Sequence, residues 1–139
     1  MQVYSITQLL SDAGLAAPDL RVLTPNVENY TALLFQPQGD IEADTNGVRN
    51  ADQALASQQH AAFLADAVAQ QVAIAITPEY STPWQVLESC LRAGTVPADN
   101  ALWVVGCESI TLDGLAAFRD RLADIATVLF EQLAPQPGR

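Results

Sequence analysis

Residues 72–84 read VAIAITPEYSTPW. Val72 to Thr77 are six residues fit for burial, a run whose length suits a strand. Pro78-Glu79 follows at once, so a carboxylate stands at the mouth of a strand otherwise suited to a core. Thr82-Pro83-Trp84-Gln85 then has the form of a helix start. Thr82 caps, Pro83 takes the first helical position, and Gln85 is placed for a capping box. A strand that hands over directly to a helix is part of a βα unit, and it sets the reading of both flanks.

Upstream, YTALLFQ (30–36) is aromatic and apolar enough for a first buried strand. PQGDIEADTNG (37–47) predicts a long polar loop. From about Asn50 to Gln71 the composition turns to alanine and glutamine. Leu55, Ala62, Ala65, Val68 and Ala69 recur at helical spacing, which predicts a helix with a small-residue face. Downstream, the helix begun at Thr82 stops near Gly94, and ALWVVG (101–106) predicts the third strand. A last helix from about Asp113 to Leu133 follows from Leu115, Phe118, Leu122, Ile125, Leu129 and Leu133, and APQPGR (134–139) stops it. Residues 5–16 predict a short helix capped by Ser5, and 17–29 an irregular lead-in.

Strands alternating with helices imply an α/β fold with a parallel sheet and right-handed crossovers, in a core spanning 30–133 of a single domain, 1–139. All three strands are continuous apolar runs, so each is expected to be covered on both faces. The 139 residues, half of them hydrophobic, suffice for one such domain.

Sixteen acids oppose six bases, all arginine, for a net charge of −10. That balance argues against nucleic acid and against anionic membranes, which need a basic face. Cys90 and Cys107 have no CxxC spacing and no nearby histidine. They read as two reduced, buried thiols of a cytoplasmic protein, a disulfide being the alternative. MQVYSITQLL carries neither a basic leader nor a long apolar run. His60, the only histidine, lies beside Gln58 and Gln59 and reads as a solvent-facing or partly packed helix residue. No glycine-rich phosphate loop and no Ser/His/Asp arrangement is present, and no cofactor or metal is expected.

In an open parallel sheet the carboxyl ends of the strands form the ligand crevice. Gln36, Glu79 and Glu108 lie at or just beyond such ends, with Asp40 and Glu42 in the loop after the first strand. Carboxylates sharing one rim can raise one member's pKa to that of a general base, or can hold magnesium, here through Asp40, Glu79 and Glu108. A Pro-Glu after a strand is also, more plainly, a solvated turn. Tyr80 and Trp84 are candidates to line a pocket beside Glu79, with Trp84 alternatively anchoring its helix on the sheet. Cys107 next to Glu108 is either a local reactive pair or a packing cysteine. Arg119, Asp120, Arg121 and Asp124 read as the wet face of the final helix.

The ordered set LLFQPQGDIEADTNGVRNADQAL…FLADAVAQQVAIAITPEYSTPW, with LWVVGCESI after it, resembles the opening of the nitrilase, or carbon–nitrogen hydrolase, superfamily. The resemblance covers roughly residues 31–110: a strand ending near Gln, a loop, an Asn before the first long helix, and a strand delivering Pro-Glu. It implies the first part of an α-β-β-α sandwich, with Glu79 as the general base that activates a cysteine nucleophile. A lysine stabilises the tetrahedral intermediate in that family, and the substrate is a small amide or nitrile. This chain has no lysine, and neither Cys90 nor Cys107 stands where the nucleophile belongs. The expectation is therefore an incomplete domain, inactive alone, that self-associates or docks on a missing half. The alternatives are a non-catalytic binding or assembly module of the same fold and, third, a magnesium-binding acidic rim.

Overall fold

The computed structural model describes residues 5–25 and 29–130. Residues 26–28 of the predicted lead-in, the last turn assigned to the final helix and the 134–139 tail lie outside the described residues. The elements in order are α1 (Ile6–Asp12), β1 (Ala32–Leu34), β2 (Ile41–Asp44), β3 (Gly47–Asn50), α2 (Gln53–Ala69), β4 (Ile74–Ile76), α3 (Trp84–Arg92), β5 (Leu102–Val104) and α4 (Leu112–Leu122). The fold is α/β, as the sequence predicts.

Three strands form a parallel sheet in the order β1-β4-β5, with the VAIAIT strand at its centre. The register aligns Leu33, Ala75 and Trp103 in one row, Ala32, Ile74 and Leu102 in the row before it, and Leu34, Ile76 and Val104 in the row after. Both crossovers step the same way across the sheet. Crossovers of one hand stepping one way place both helices on one face, and α2 and α3 do pack against each other. The core lies beneath them. Phe63, Leu64 and Ala67 of α2 and Val86 and Cys90 of α3 close over Ala75, with Leu33, Phe35 and Trp103 at the margins.

The sheet's other face carries the two remaining rows, and it is open. Leu34 is 72% exposed and Val104 46%, and Ile74, Ile76 and Leu102 are only half-buried. This corrects the expectation of strands covered on both sides. A strand apolar on both faces reads as sandwiched, yet among the described residues only one covering layer exists. Fully burying an aliphatic side chain is worth about 1.5–3 kcal/mol, so the open face leaves several kcal/mol of burial unrealised.

Four further readings change. The acidic segment predicted as a loop is an antiparallel hairpin, β2 paired with β3. Its turn is set by Asp44, whose Oδ1 accepts the Asn46 N–H at 2.7 Å and whose Oδ2 accepts from Arg49 at 2.9 Å. Thr82 does not cap α3: the N-cap is Pro83, with no side-chain bond. Thr82 is instead fully buried in a parallel bridge to Cys107, its Oγ1 3.0 Å from Thr77 Oγ1. The buried face of α2 is Ala56, His60, Phe63, Leu64 and Ala67, whereas Ala62, Ala65, Val68 and Ala69 are exposed. Finally, α4 ends at Leu122, and Arg121 is not simply wet: it meets Glu88 of α3 at 3.0 Å. That guanidinium, more than Arg92, holds the Glu88 carboxyl below its usual range.

Candidate functional site

Parallel strands bring their carboxyl ends to one edge, and three chain segments meet there. After β4 the chain makes a tight turn through Pro78, Glu79 and Tyr80, with Tyr80 in the left-handed region at φ 57°. A non-glycine residue held there costs about 1–2 kcal/mol, so the surroundings must impose the turn. They do so from both sides. The Gly106 carbonyl beyond β5 accepts the N–H groups of Ser81 and Thr82, both at 3.0 Å. Gly106 N–H donates to Thr77 Oγ1 at 2.9 Å, and Ser81 Oγ donates to the Pro78 carbonyl at 2.7 Å.

Glu79 itself is exposed, as is Tyr80. The expected carboxylate rim does not assemble. Asp40, Glu79 and Glu108 are not gathered into a metal-holding group, and among the described residues no cluster of three or more His, Cys, Asp or Glu is. The reason is where Glu108 is spent. Its Oε1 accepts from the Asn50 backbone N–H at 2.7 Å, from Asn50 Nδ2 at 2.6 Å and from Gln53 Nε2 at 2.6 Å. That saturated oxygen ties the end of β3 and the first turn of α2 to the segment after β5. Ser109 extends the tie, exchanging bonds of 2.9 Å with Val48.

Asn50, 8% exposed, also donates through Nδ2 to the Ser81 carbonyl at 2.7 Å. His60 completes the cluster. It is fully buried, with Nδ1 2.8 Å from the Ala56 carbonyl and Nε2 3.2 Å from Ser81 Oγ, and Phe35 set edge-on at 4.7 Å. The reading of His60 as solvent-facing or partly packed is thus corrected. Asn50, Gln53, His60 and Ser81 were not singled out for this role by sequence, where their spacing follows no period. Only the Asn before the long helix stood out, through the family resemblance.

The other candidates have structural duties. Trp84 donates Nε1–H to the Glu108 carbonyl at 2.7 Å and stacks edge-on against Phe118 at 4.9 Å, which anchors α3 to α4 and to the β5 tail. Burial, with the Glu108 charge adding to it, pushes the Cys107 thiol up to about 11, so it is protonated at neutral pH and a poor nucleophile. Burial likewise raises the Cys90 thiol, and both cysteines are free. A concavity of about 400 Å3 opens between β1 and α2 beside Phe35, Gln59 and Asp66. None of Glu79, Tyr80, Trp84, Cys107 and Glu108 lines it. Among the described residues no helix is long and apolar enough to cross a membrane.

Burial holds His60 below its ordinary value of 6.5, against the opposing pull of the Ala56 carbonyl and the Glu108 charge. The unfolded chain then binds the proton more readily than the folded one. The stability this neutral histidine contributes is full above about pH 6.5 and is lost as pH falls from there through the lower folded value. Melting temperatures measured from pH 8 to 5 are expected to stay level to about pH 6.5 and then decline. Melting temperatures that stay level all the way down to pH 5 would count against this assignment.

Against models of protein families, curated proteins and solved structures, the chain finds no match.

Proposed function

We propose that this chain is one helix-covered sheet layer of a carbon–nitrogen hydrolase of the nitrilase type, with Glu79 as its general base. The observation that carries the reading is the Pro78-Glu79 turn, which ends the central strand of a parallel sheet whose second face is apolar and open. In the family a second sheet closes the sandwich, and the nucleophile lies on a later strand. This chain contains no lysine, and its two cysteines are high-pKa thiols, so both groups come from polypeptide beyond these 139 residues. Glu79 then takes the thiol proton and the thiolate adds to the amide carbon. Nitrogen leaves as ammonia carrying that proton, and water cleaves the thioester to a carboxylic acid and the free thiol. The setting is the cytoplasm, where thiols stay reduced.

The test uses the chain joined to whatever polypeptide is encoded after codon 139, assayed for ammonia release from a panel of small amides and nitriles. Glu79→Gln is expected to cut kcat by at least about 100-fold, the usual share of a general base, with an unchanged melting temperature because the side chain is exposed. A reading frame without a lysine and a strand-end cysteine, or a rate indifferent to Glu79→Gln, overturns the proposal.

A second reading, a non-catalytic assembly module of this fold, is favoured by one observation: Glu79 is exposed and has no activated thiol beside it among the described residues. In that case the open sheet face serves a partner or a second copy, and no catalysis is involved.

A further inference from the structure

The contacts around His60 pose a counting problem. Nδ1 faces the Ala56 carbonyl, which can only accept, so Nδ1 carries a proton. Ser81 Oγ lies between His60 Nε2 and the Pro78 carbonyl, another pure acceptor. Three contacts therefore run in a line from Ala56 O to Pro78 O. A neutral histidine and one hydroxyl supply two protons for them. The Ser81 hydroxyl must choose between Nε2 at 3.2 Å and the Pro78 carbonyl at 2.7 Å, and the shorter bond shows its choice. Nε2 is then left facing the lone pairs of Ser81 Oγ. The imidazolium removes the conflict, because Nε2–H donates to Oγ and Oγ–H donates to the Pro78 carbonyl.

We propose that His60 and Ser81 form a protonation-dependent latch on the Pro78–Ser81 turn, which tightens the seat of Glu79 when His60 takes a proton. The latch has no slack to absorb the change elsewhere. The Ser81 carbonyl is held by Asn50, and the Ser81 N–H by the Gly106 carbonyl. The ionisable group that acts on His60 is Glu108, whose charge favours the imidazolium, while Glu79 and Tyr80 precede Ser81 in the turn and are both exposed. Phe35 lies across the imidazole, the ring planes at 77° and the centroids 4.7 Å apart, and carries no titrating group. The inference rests on the geometry of the turn and not on the hydrolase reading, so it stands or falls without any assay of catalysis.

The experiment is an NMR titration of the 15N-labelled chain, following both His60 ring nitrogens and the amides of Glu79, Tyr80 and Ser81. At neutral pH the ring is expected as the Nδ1–H tautomer. As pH falls, the three amides are expected to shift with the same midpoint as the ring, and Ser81→Ala to abolish that shared midpoint. Amides that ignore the ring titration, an Nε2–H tautomer at neutral pH, or a shared midpoint that survives Ser81→Ala overturns the latch. Should the fold melt before the ring titrates, His60→Gln decides the matter at neutral pH. Its side-chain amide N–H donates to Ser81 Oγ without a titrating proton. Hydrogen exchange at Ser81 N–H is then expected to slow roughly threefold to tenfold, the value of one net hydrogen bond. Exchange as fast as in the unaltered chain, or faster, overturns the latch.

Discussion

Gly106→Ala is expected to cost about 3 kcal/mol or more and to lower the melting temperature by about 10 °C. The glycine is not there for its backbone freedom, since its φ is not in the left-handed region. It is there for space. A Cβ at this position would stand 2.6 Å from the Pro78 carbonyl carbon and 2.7 Å from Glu79 Cα, and closer still to the Pro78 carbonyl oxygen. Backbone atoms cannot rotate aside as a side chain can. The turn would have to move outward, away from the carbonyl of Gly106 that holds Ser81 and Thr82. Gly94→Ala is the matched control. Nothing lies within 4 Å of its Cβ, but its φ is +72°, so about 1–2 kcal/mol of backbone strain is the whole cost. Thermal melts of the two variants separate crowding from conformation. Equal losses in the two would refute the close approach of the β4 turn to the β5 tail.

Glu108→Ala carries the second large effect, about 3 kcal/mol. It strands the Asn50 backbone N–H and one Nδ2–H in a site where Asn50 is almost wholly buried, at about 1–3 kcal/mol per unmet donor. Gln53 is more exposed and turns to water at little cost. Glu108→Gln keeps an oxygen that accepts the same three bonds and loses only the assistance of the charge, so about 1 kcal/mol is expected. Urea denaturation gives both numbers, and the ratio between them is the informative result. If Gln proves as costly as Ala, the charge itself holds the cluster together, and the hydrogen-bond account is wrong.

The parts of this fold legible in the sequence are those with local cause. VAIAIT, YTALLFQ and ALWVVG announce strands because their length and unbroken apolarity leave few other options, and the alternation with helices fixes a parallel sheet. The hairpin was hidden because Asp40, Glu42 and Asp44 look like a loop when counted as acids. Glu42 and Asp44 in fact belong to β2, which is exposed along its whole length and so shows no buried side in the sequence, and which turns through Asp44-Thr45-Asn46-Gly47. The buried face of α2 was hidden because alanine lies all round that helix, and because the residue that marks the inward side is the polar His60. The cluster around Glu108 draws on positions 50, 53, 60, 81 and 108; Gln53 and His60 stand two turns apart on α2, but no spacing rule connects them to the other three. Glu79 could be placed at a strand mouth from sequence, but the distance between it and a gathered acidic rim could not. Glu108 faces Asn50 because of a pairing between elements far apart in the chain.

The one-sided sheet has a consequence for how this chain is made. Each strand pairs with the strand that precedes it in the sheet order, and each helix lies between the two strands it joins. The layer can therefore add one βα step at a time as the nascent chain leaves the ribosome, but each step must wait for a long-range parallel pairing, Ala32 with Ile74 and then Ile74 with Leu102. From the moment β5 docks, however, its open side is a sticky surface on a growing polypeptide. The excess of ten negative charges then acts as a built-in guard, holding neighbouring nascent chains apart.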